Sequence, residues 1–496
     1  MGFELDCNRD NTLNNIEEKN EKYEKNDVRN AINPFMVSMI FVAIFTIIAT
    51  GAVTATFLTK YLHTTDKEYA IIMSCVQIGI IGTFIGTYIV ARSGKTKPIM
   101  IPMTILGRSL YAIIGILLLI TPSVGDKNHP TMLIYLVGIL ILLAWIINNI
   151  GASGWSTWMA DLIPKSIAGS LFGIRARLSF VMQLVVGLSA PFMISCFHHS
   201  RYIYAIVFIF CGLCGVLDII IHSRIREVKR EVEKPLPTVF NLITIPWHDQ
   251  FFRKISLYLF VSNIGLALMG VFVWRFCYAP LSENGLSMDF NVANLIVSII
   301  PLLCMVVTSP IWGRAIDRFG AKIVMMTAIF SHTFIPLAWS IFSVHHVDRT
   351  LIFIWLIIVA VFSGCTWSGV DQPIVYMQMK IFPNKLKVAY ITLSALCVSA
   401  GAFLGVMACG YLTSFFSLML PRIPSLWWVS EYQPLFLLAT IVRFGSFVYL
   451  KTSVKFPVPT NKDVTIVTVY KYVFYNACRT ISYWFEPIKR LNKQKN

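Results

Sequence analysis

The sequence predicts an all-α membrane protein whose twelve transmembrane helices form two pseudo-symmetric six-helix bundles. Three observations predict it: the composition, the number and length of the apolar segments, and a similarity between the two halves of the chain. Hydrophobic residues make up 56% of the 496 residues and charged residues only 14%, whereas a soluble protein carries about a quarter charged residues. Such a chain cannot cover a water-facing surface, so we expect lipid around it.

Segments with the length and apolarity of a spanning helix occur twelve times. A span needs about 20 largely apolar residues, because an α-helix rises about 1.5 Å per residue. In the first half the spans lie near 34–59, 69–91, 98–120, 131–159, 171–195 and 203–222. In the second half they lie near 255–279, 288–312, 322–343, 351–379, 388–418 and 433–450.

The segments outside the spans complete the predicted organisation. Residues 1–33 form a polar N-terminal tail, and residues 223–253 form a charged linker with room for a short helix on the membrane. The two bundles then occupy residues 34–222 and 254–453, and residues 454–496 follow as a C-terminal tail.

The C-terminal tail carries apolar residues at helical spacing. They are Ile466, Tyr470, Val473, Ala477, Ile481 and Trp484. This pattern predicts an amphipathic helix on the inner membrane surface. A thirteenth span is the alternative, but Lys471 and Arg479 would each cost about 2.5–3.5 kcal/mol near the bilayer centre.

The distribution of basic residues predicts the orientation of the chain. If the N-terminus is cytoplasmic, the inner loops carry seventeen Lys and Arg residues and the outer loops six. Because basic residues accumulate on the cytoplasmic side, both termini are expected in the cytoplasm of a cell-membrane protein, inner or plasma. The net charge of +17 is then a topology signal that also favours anionic lipid. A nucleic-acid partner is not expected.

Two pairs of loops indicate an internal repeat. The loop after the second span contains Arg92 and Gly94, and the loop after the eighth contains Gly320 at the equivalent place. Pro164 and Pro383 end the fourth and tenth predicted spans in the same way. The two pairs are separated by 226 and 219 residues, and nearly equal offsets indicate duplication.

The loop after the eighth span carries a recognisable motif. Its residues are Gly313, Asp317, Arg318, Gly320 and Lys322. They match the G-x-x-x-D-R-x-G-x-K/R loop of the major facilitator superfamily, and the chain resembles that family over residues 34–453. The resemblance implies a superfamily-like fold and a gating role for this loop. The first copy keeps Arg92 and Gly94 but has Ala91 where the family has an acid. Charge that only fixes the topology is the alternative reading of the loop.

Four ionisable residues are predicted to lie deep within spans: Arg108, His332, Asp371 and Arg443. Ionisable groups are costly in a bilayer, so they usually line a cavity or pair with each other. Four further charged residues lie nearer to span ends and are expected to reach water: Arg175, Arg177, Asp218 and Arg275.

Asp371 is the foremost candidate for coupling. The resemblance implies that the first, fourth, seventh and tenth helices line a central cavity, and Asp371 lies on the tenth, followed by Gln372 and Pro373. A proline inside a helix frees a backbone carbonyl one turn earlier. Two roles remain open for Asp371: a carboxyl that takes up a proton, or a static ion pair with Arg443 or Arg108.

Other polar side chains are candidates for contact with a solute. They are Asn148 and Asn149 on the fourth span, Asn263 on the seventh, Trp367 and Gln372 on the tenth, and Thr50 and Thr54 on the first. Thr50 and Thr54 are four residues apart, so they should share one helix face. The histidine pairs His198–His199 and His345–His346 are too few for a closed metal site, and no metal or cofactor is expected.

The leading hypothesis is a secondary active transporter, symporter or antiporter, or a facilitator that moves a small organic solute by alternating access. The coupling ion would be a proton or sodium, and the protein a monomer among membrane lipids. The alternative is a transporter-like receptor or scaffold that does not cycle. An enzyme is not expected, because neither H-E-x-x-H nor G-x-S-x-G occurs, and the chain has no P-loop.

Overall fold

The computed structural model describes residues 32–121, 130–153, 155, 158–159, 165–227, 239–341, 347–383, 387–457 and 464–493. Over these residues the chain is helical and contains no strand. Of the predicted tail 1–33, only residues 32 and 33 are described. Pro164, His345 and His346 also lie outside the described residues.

Twelve helices of the described chain are long and apolar enough to cross a membrane, as the sequence predicted. They are Ile32–Tyr61, Asp66–Val90, Lys97–Ile120, Thr131–Ala152, Leu178–Cys196, Arg201–His222, Gln250–Tyr278, Phe290–Phe319, Ala321–Ser340, Arg349–Tyr376, Ala389–Arg422 and Gln433–Ser453. The fifth helix itself begins at Lys165 and the eleventh at Lys387. The predicted linker contains helix Val239–His248.

Several span boundaries differ from the prediction, among them those of the fourth, seventh and eighth helices. The fourth helix ends at Ala152 rather than 159, because the apolar residues Trp158 and Met159 are buried in a separate cluster with Phe35 and Met100. The eighth helix runs on to Phe319 rather than 312. The seventh begins at Gln250, inside the predicted linker, where Asp249 caps it by accepting from the N–H groups of Phe251 and Phe252.

The spans alternate in direction, so Ile32 and Ser453 lie on the same face of the bundle. We call this face the terminal face, and the face that holds Tyr61 and Asp66 the opposite face. The arrangement of the helices does not by itself define which of the two faces meets the cytoplasm.

The first span is not one continuous α-helix. Gly51 has extended backbone angles, with φ −98° and ψ −157°, and helix resumes at Ala52. The interruption turns Thr54 away from Thr50. Thr54 is buried and its hydroxyl donates to the carbonyl of Ile48 at 2.8 Å, whereas Thr50 is exposed. The expectation that these two threonines share a face is therefore wrong.

Small residues bring the helices of each half into close contact. A Cβ atom on Gly212 of the sixth span would lie 2.5 Å from the backbone nitrogen of Ala112 on the third. In the second half, a Cβ on Gly401 of the eleventh span would overlap the carbonyl oxygen of Phe260 on the seventh. Such close backbone approach is typical of packing between membrane helices.

The C-terminal tail forms helix Ile466–Lys493. Val469 and Val473 are buried in a cluster with side chains of the eighth and ninth spans. The hydroxyl of Tyr470 hydrogen-bonds Ser331 and donates to the carbonyl of Thr327 at 3.2 Å. Part of the face that the sequence assigned to the membrane surface is thus covered by protein. The side chains of Ile481 and Trp484 lie outside the described residues.

Candidate functional site

At the opposite face, an ion pair joins the two halves of the chain. Asp66, the first residue of the second span, pairs with Arg275 near the end of the seventh. Arg275 also donates to the carbonyl of Thr64 at 2.6 Å, and its guanidinium lies over the ring of Tyr69, 5.2 Å from the centroid. The sequence analysis expected Arg275 to reach water from a span end. That expectation is wrong, because the side chain is held between the halves.

Further contacts between the halves surround this pair. The hydroxyls of Thr56 and Tyr278 are 2.9 Å apart, and the hydroxyl of Tyr69 donates to the carbonyl of Val271 at 3.2 Å. The amide of Asn294 on the eighth span donates to the carbonyl of Gly187 on the fifth. The opposite face is therefore closed, and we call the contacts of Asp66, Arg275, Thr56 and Tyr278 the opposite-face gate.

Glu431 lies beside this gate in the connection before the twelfth span. The hydroxyl of the adjacent Tyr432 reaches Asp66 at 3.4 Å. Burial raises the pKa of the Glu431 carboxyl to about 7, and the negative charge of Asp66 acts in the same direction. The gate therefore includes a carboxyl that changes charge near neutral pH.

Toward the terminal face, the halves are held together less tightly. Thr87 and Thr392, on the second and eleventh spans, approach only to 3.5 Å, the outer limit of a hydrogen bond. On the first span, Thr46 and Thr50 are exposed, as is Asp371 on the tenth. Polar side chains are thus exposed within the first and tenth spans on the side of this face.

Asp371 is exposed although it lies within its span. Exposed apolar residues earlier on the same helix form a stripe that includes Leu351, Ile354, Ile358 and Phe362. Phe362 and Asp371 are nine residues apart, which is two and a half turns, so their side chains leave opposite sides of the helix. Val375, one turn after Asp371, is exposed on nearly the same side as the carboxyl.

Two neighbours of Asp371 on the tenth span have defined surroundings. The indole of Trp367 lies one turn earlier, on the same side of the helix. The amide of Gln372 donates to the carbonyl and the hydroxyl of Ser309 on the eighth span, at 2.9 and 2.5 Å. Gln372 thus links two helices, while Asp371 beside it is exposed.

Neither arginine proposed as a static partner lies against Asp371. Arg108 pairs with Asp218 on the sixth span and donates to the amide oxygen of Asn148 at 3.2 Å. Asp218 also contacts His222 at 3.2 Å. Asp218 was expected to reach water, but it is buried inside the first half.

Arg443 lies in a different environment. Its Nε donates to the carbonyl of Gly265 and its guanidinium NH1 to the carbonyl of His332, each at 2.9 Å. The ring of His332 meets that of Trp367 with centroids 5.2 Å apart. Arg443, His332, Trp367 and Asp371 thus form one contiguous set in the second half.

The two remaining amide candidates bond within their own helices. Asn149 donates to the carbonyl of Trp145 at 2.9 Å, and Asn263 to that of Leu259 at 2.8 Å. These bonds use only one donor of each amide, and both side chains are half-buried. Their other polar atoms stay candidates for solute contact.

Both loops of the repeat begin at a glycine with positive φ, but the two glycines differ in conformation. Gly94 is left-handed helical, with φ +65° and ψ +4°, whereas Gly320 has φ +91° and ψ +152°. Arg92 donates to the hydroxyl of Tyr88 at 3.1 Å, and Lys322 reaches the carbonyl of Lys451 at 3.5 Å.

The motif charges of the second loop contact rings and carbonyls rather than each other. Arg318 lies over the rings of Phe319 and Tyr472, at 5.4 and 5.3 Å. Arg314 donates to the carbonyl of Pro310 at 3.3 Å. Asp317 forms no hydrogen bond or ion pair with a described residue. Gly313 faces Gln372, whose amide oxygen would lie 3.4 Å from a Cβ at that position.

A family comparison matches part of the chain. Residues 275–477, most of the second half, match the family model described as Major Facilitator Superfamily. The match covers the loop of Gly313 to Lys322 and begins at Arg275, so it includes the motif that the sequence analysis used.

Solved structures of this superfamily share the fold. A mutant of the nucleoside transporter NupG is similar with a TM-score of 0.62 and 10% identity, covering 85% of this chain and 100% of that one. A D-xylose-proton symporter gives 0.57 and 15% identity, covering 88% and 100%. An auto inhibited peptide transporter of the POT family gives 0.61 and 11% identity, covering 87% and 99%. No curated protein matches by sequence.

The family match and the transporters that share the fold support a multi-pass membrane protein that is a secondary transporter of a small solute rather than an enzyme. The prediction of the fold is confirmed, and the match over the second half supports the predicted superfamily. Among the described residues no group of His, Cys, Asp and Glu could hold a metal ion.

Proposed function

We propose that this chain moves a small organic solute by alternating access and that proton binding at Asp371 drives the movement. The chain would act as a monomer in the cell membrane, in contact with membrane lipids. One observation carries the proposal: the carboxyl of Asp371 is exposed inside a span and is not ion-paired with either deep arginine.

The two faces of the molecule support alternating access. The opposite-face gate closes one face through Asp66, Arg275, Thr56 and Tyr278, whereas Thr50 and Asp371 are exposed toward the other. A transporter that cycles must close one face while the other is open. This arrangement supports a conformation in which the solute site is reached from the terminal face.

The basic residues support the orientation of that conformation. Both termini would be cytoplasmic, with bundles 34–222 and 254–453 joined by linker 223–253 and flanked by tails 1–33 and 454–496. The seventeen basic residues of the inner loops against six in the outer loops support this orientation. The terminal face is then cytoplasmic, and the opposite-face gate seals the outside.

The position of Asp371 supports proton coupling. An intramembrane carboxyl that is not neutralised by an arginine is costly when ionised. Binding of a proton removes its charge, and this change can alter the stability of the tenth span against its neighbours. The peptide transporters and the xylose-proton symporter whose structures share the fold support an organic solute and leave its chemistry open.

Transport measurements with Asp371→Asn in proteoliposomes test the proposal. An uptake screen with and without a proton gradient would first identify a transported solute. The variant should lose uphill accumulation but keep counterflow exchange, because asparagine cannot release a proton. Asp348→Asn is a matched control, since Asp348 caps the tenth span at the opposite face by accepting from the N–H of Thr350, and asparagine caps equally well. Uphill accumulation by Asp371→Asn would reject proton coupling at this residue.

The alternative function is a receptor or scaffold that does not cycle. It is favoured by the first loop of the repeat, where Ala91 replaces the acid of the superfamily motif. This alternative predicts saturable binding of a solute without any flux in the same proteoliposomes.

A further inference from the structure

A buried guanidinium lies in the second half of the chain without a carboxylate. Arg443 is 3% exposed and its bonds go to two carbonyl oxygens, of Gly265 and His332. Among the described residues no acid bonds to it. Buried charges in proteins are normally paired, because a charge removed from water is costly. Arg108 in the first half follows this rule through Asp218.

The neighbouring histidine, His332, lacks hydrogen-bond partners for its ring within the described part of the chain. His332 is 1% exposed, and neither of its ring nitrogens has a hydrogen-bond partner among the described residues. Almost all buried polar side-chain atoms are hydrogen-bonded. By contrast, His222 in the first half bonds Asp218 and accepts from Trp155 at 3.2 and 3.0 Å. The His332 ring therefore has donor and acceptor capacity that this conformation does not use.

Two neighbours cover these side chains. The backbone of the seventh span lies against Arg443 at Gly265, where a Cβ would lie 2.8 Å from the Arg443 side chain. The half-buried indole of Trp367 lies against the His332 ring, with centroids 5.2 Å apart. A ligand that approaches from the side of Trp367 would meet the His332 ring once this indole has turned.

We propose that Arg443 and His332 receive the carboxylate of the transported solute, once Trp367 has turned aside. This inference deepens the proposed function and rests on it. The guanidinium supplies the positive charge and the imidazole a hydrogen bond, the two features that recognise a carboxylate. The solute class is thus a small organic anion.

Charge balance links the anion to the proton. One buried cation can neutralise one carboxylate. With the solute bound and Asp371 ionised, two negative charges would share Arg443 in a medium of low dielectric, which is unfavourable. Protonation of Asp371 removes this excess. A singly charged anion should therefore enter with one proton, and its transport should be electroneutral.

Acetate and acetamide form a matched pair of probes, because they share size and shape but only acetate is charged at pH 6. The measurement is thermal unfolding of the purified full-length protein in nanodiscs as a function of probe concentration. Acetate should stabilise the protein and acetamide should not, and the apparent affinity for acetate should fall as the pH is raised and Asp371 loses its proton.

Variants locate the binding. His332→Gln and Arg443→Met should each weaken acetate binding about tenfold or more. Asp371→Asn should keep acetate binding and remove its pH dependence, since asparagine imitates the protonated carboxyl. Arg422→Gln, an exposed arginine in the loop before the twelfth span, should behave as wild type. His332→Gln removes no charge, so it still tests the site if Arg443→Met does not fold.

Three results would overturn the anion site. They are equal responses to acetate and acetamide, no response to acetate, or unchanged acetate binding in His332→Gln. These failures differ from failure of proton coupling. If Asp371→Asn accumulates solute uphill, the coupling role is rejected whatever acetate does. If acetate binding fails while Asp371→Asn still loses accumulation, only the solute class is wrong.

Discussion

Asp66 and Arg275 lie 209 residues apart in sequence and form an ion pair that joins the two halves of the chain. The pair is partly buried, with side chains 14% and 12% exposed. An ion pair in such a position is stabilising only while both partners are present, because removal of one leaves the other charge without compensation. It is therefore a point at which the closed opposite face can be opened experimentally.

Arg275→Met should open the opposite-face gate. Loss of the guanidinium leaves Asp66 unpaired at the seam between the halves, so the closed conformation should become less populated. The measurement is the labelling rate of Thr56→Cys by a water-soluble maleimide, because Thr56 is fully buried in the gate. We expect faster labelling in the Arg275→Met background.

Arg349→Met is the control for the gate prediction. Arg349 lies at the same face but donates to the carbonyl of Leu286, within the second half only, at 3.3 Å. Labelling of Thr56→Cys should be unchanged in this background. Equal labelling rates in the Arg275→Met and wild-type backgrounds would mean that the ion pair does not hold the gate.

The gate should be more stable at acid pH because of Glu431. Burial raises its pKa from 4.5 to about 7, so the closed gate binds this proton more tightly than a state in which Glu431 is in water. The closed state therefore loses stability as the pH rises from about 4.5 to 7, and the full penalty applies above 7. Thr56→Cys should be labelled faster at pH 8 than at pH 6, after correction for the reactivity of the maleimide.

Glu431→Gln should remove this pH dependence and keep the slow rate at pH 8. The neighbouring acids Asp66 and Glu283 and the cation Arg275 also contribute to the electric field at Glu431. If the labelling rate of Glu431→Gln depends on pH as strongly as that of wild type, one of these groups and not Glu431 causes the pH dependence.

Close packing between the third and sixth spans should make Gly212 intolerant of larger residues. Gly212→Val would force the two helices apart, because even a Cβ would lie 2.5 Å from the backbone of Ala112. We expect a loss of about 1–3 kcal/mol in the free energy of unfolding, measured by thermal unfolding in detergent. Gly445→Ala is the control, since nothing lies within 4 Å of a Cβ there. It should be neutral or slightly stabilising.

The tail helix should contribute to the stability of the second half. Val469→Asp would place a carboxylate in the cluster with Phe319 and Val324, at a cost of about 2 kcal/mol or more. The melting temperature should fall, and a protease should cut the tail more readily. Phe474→Ser is the control, because Phe474 is on the exposed side of the same helix. A tail that is equally resistant in both variants would show that this contact is dispensable.

The sequence predicted the spans because lipid imposes a simple requirement on length and apolarity. The errors arose where apolar residues serve packing between segments, as at Trp158 and Met159, or where charged residues continue a helix, as at Arg314 to Arg318. The docking of the tail was missed for a related reason. An apolar stripe that includes Val473 fits a protein surface as well as it fits a membrane surface.

The role of Asp371 stays a prediction. Asp371 stood out because a carboxyl within a span needs an explanation, and its side chain is exposed there. The gate was missed because Asp66 and Arg275 lie at span ends, where charges are ordinary. Only the pairing of the second span with the seventh, which no local pattern encodes, brings them together. Asp218 was misjudged for the same reason, since its partner Arg108 is on another helix.

The interruption of the first span at Gly51 has a structural consequence. A side chain at this position would overlap the carbonyl oxygen of Ile47, so the bend requires glycine. The segment before the bend carries Thr50, and the segment after it carries Thr56 of the opposite-face gate. One glycine therefore separates an exposed threonine from a buried threonine that contacts the other half of the chain.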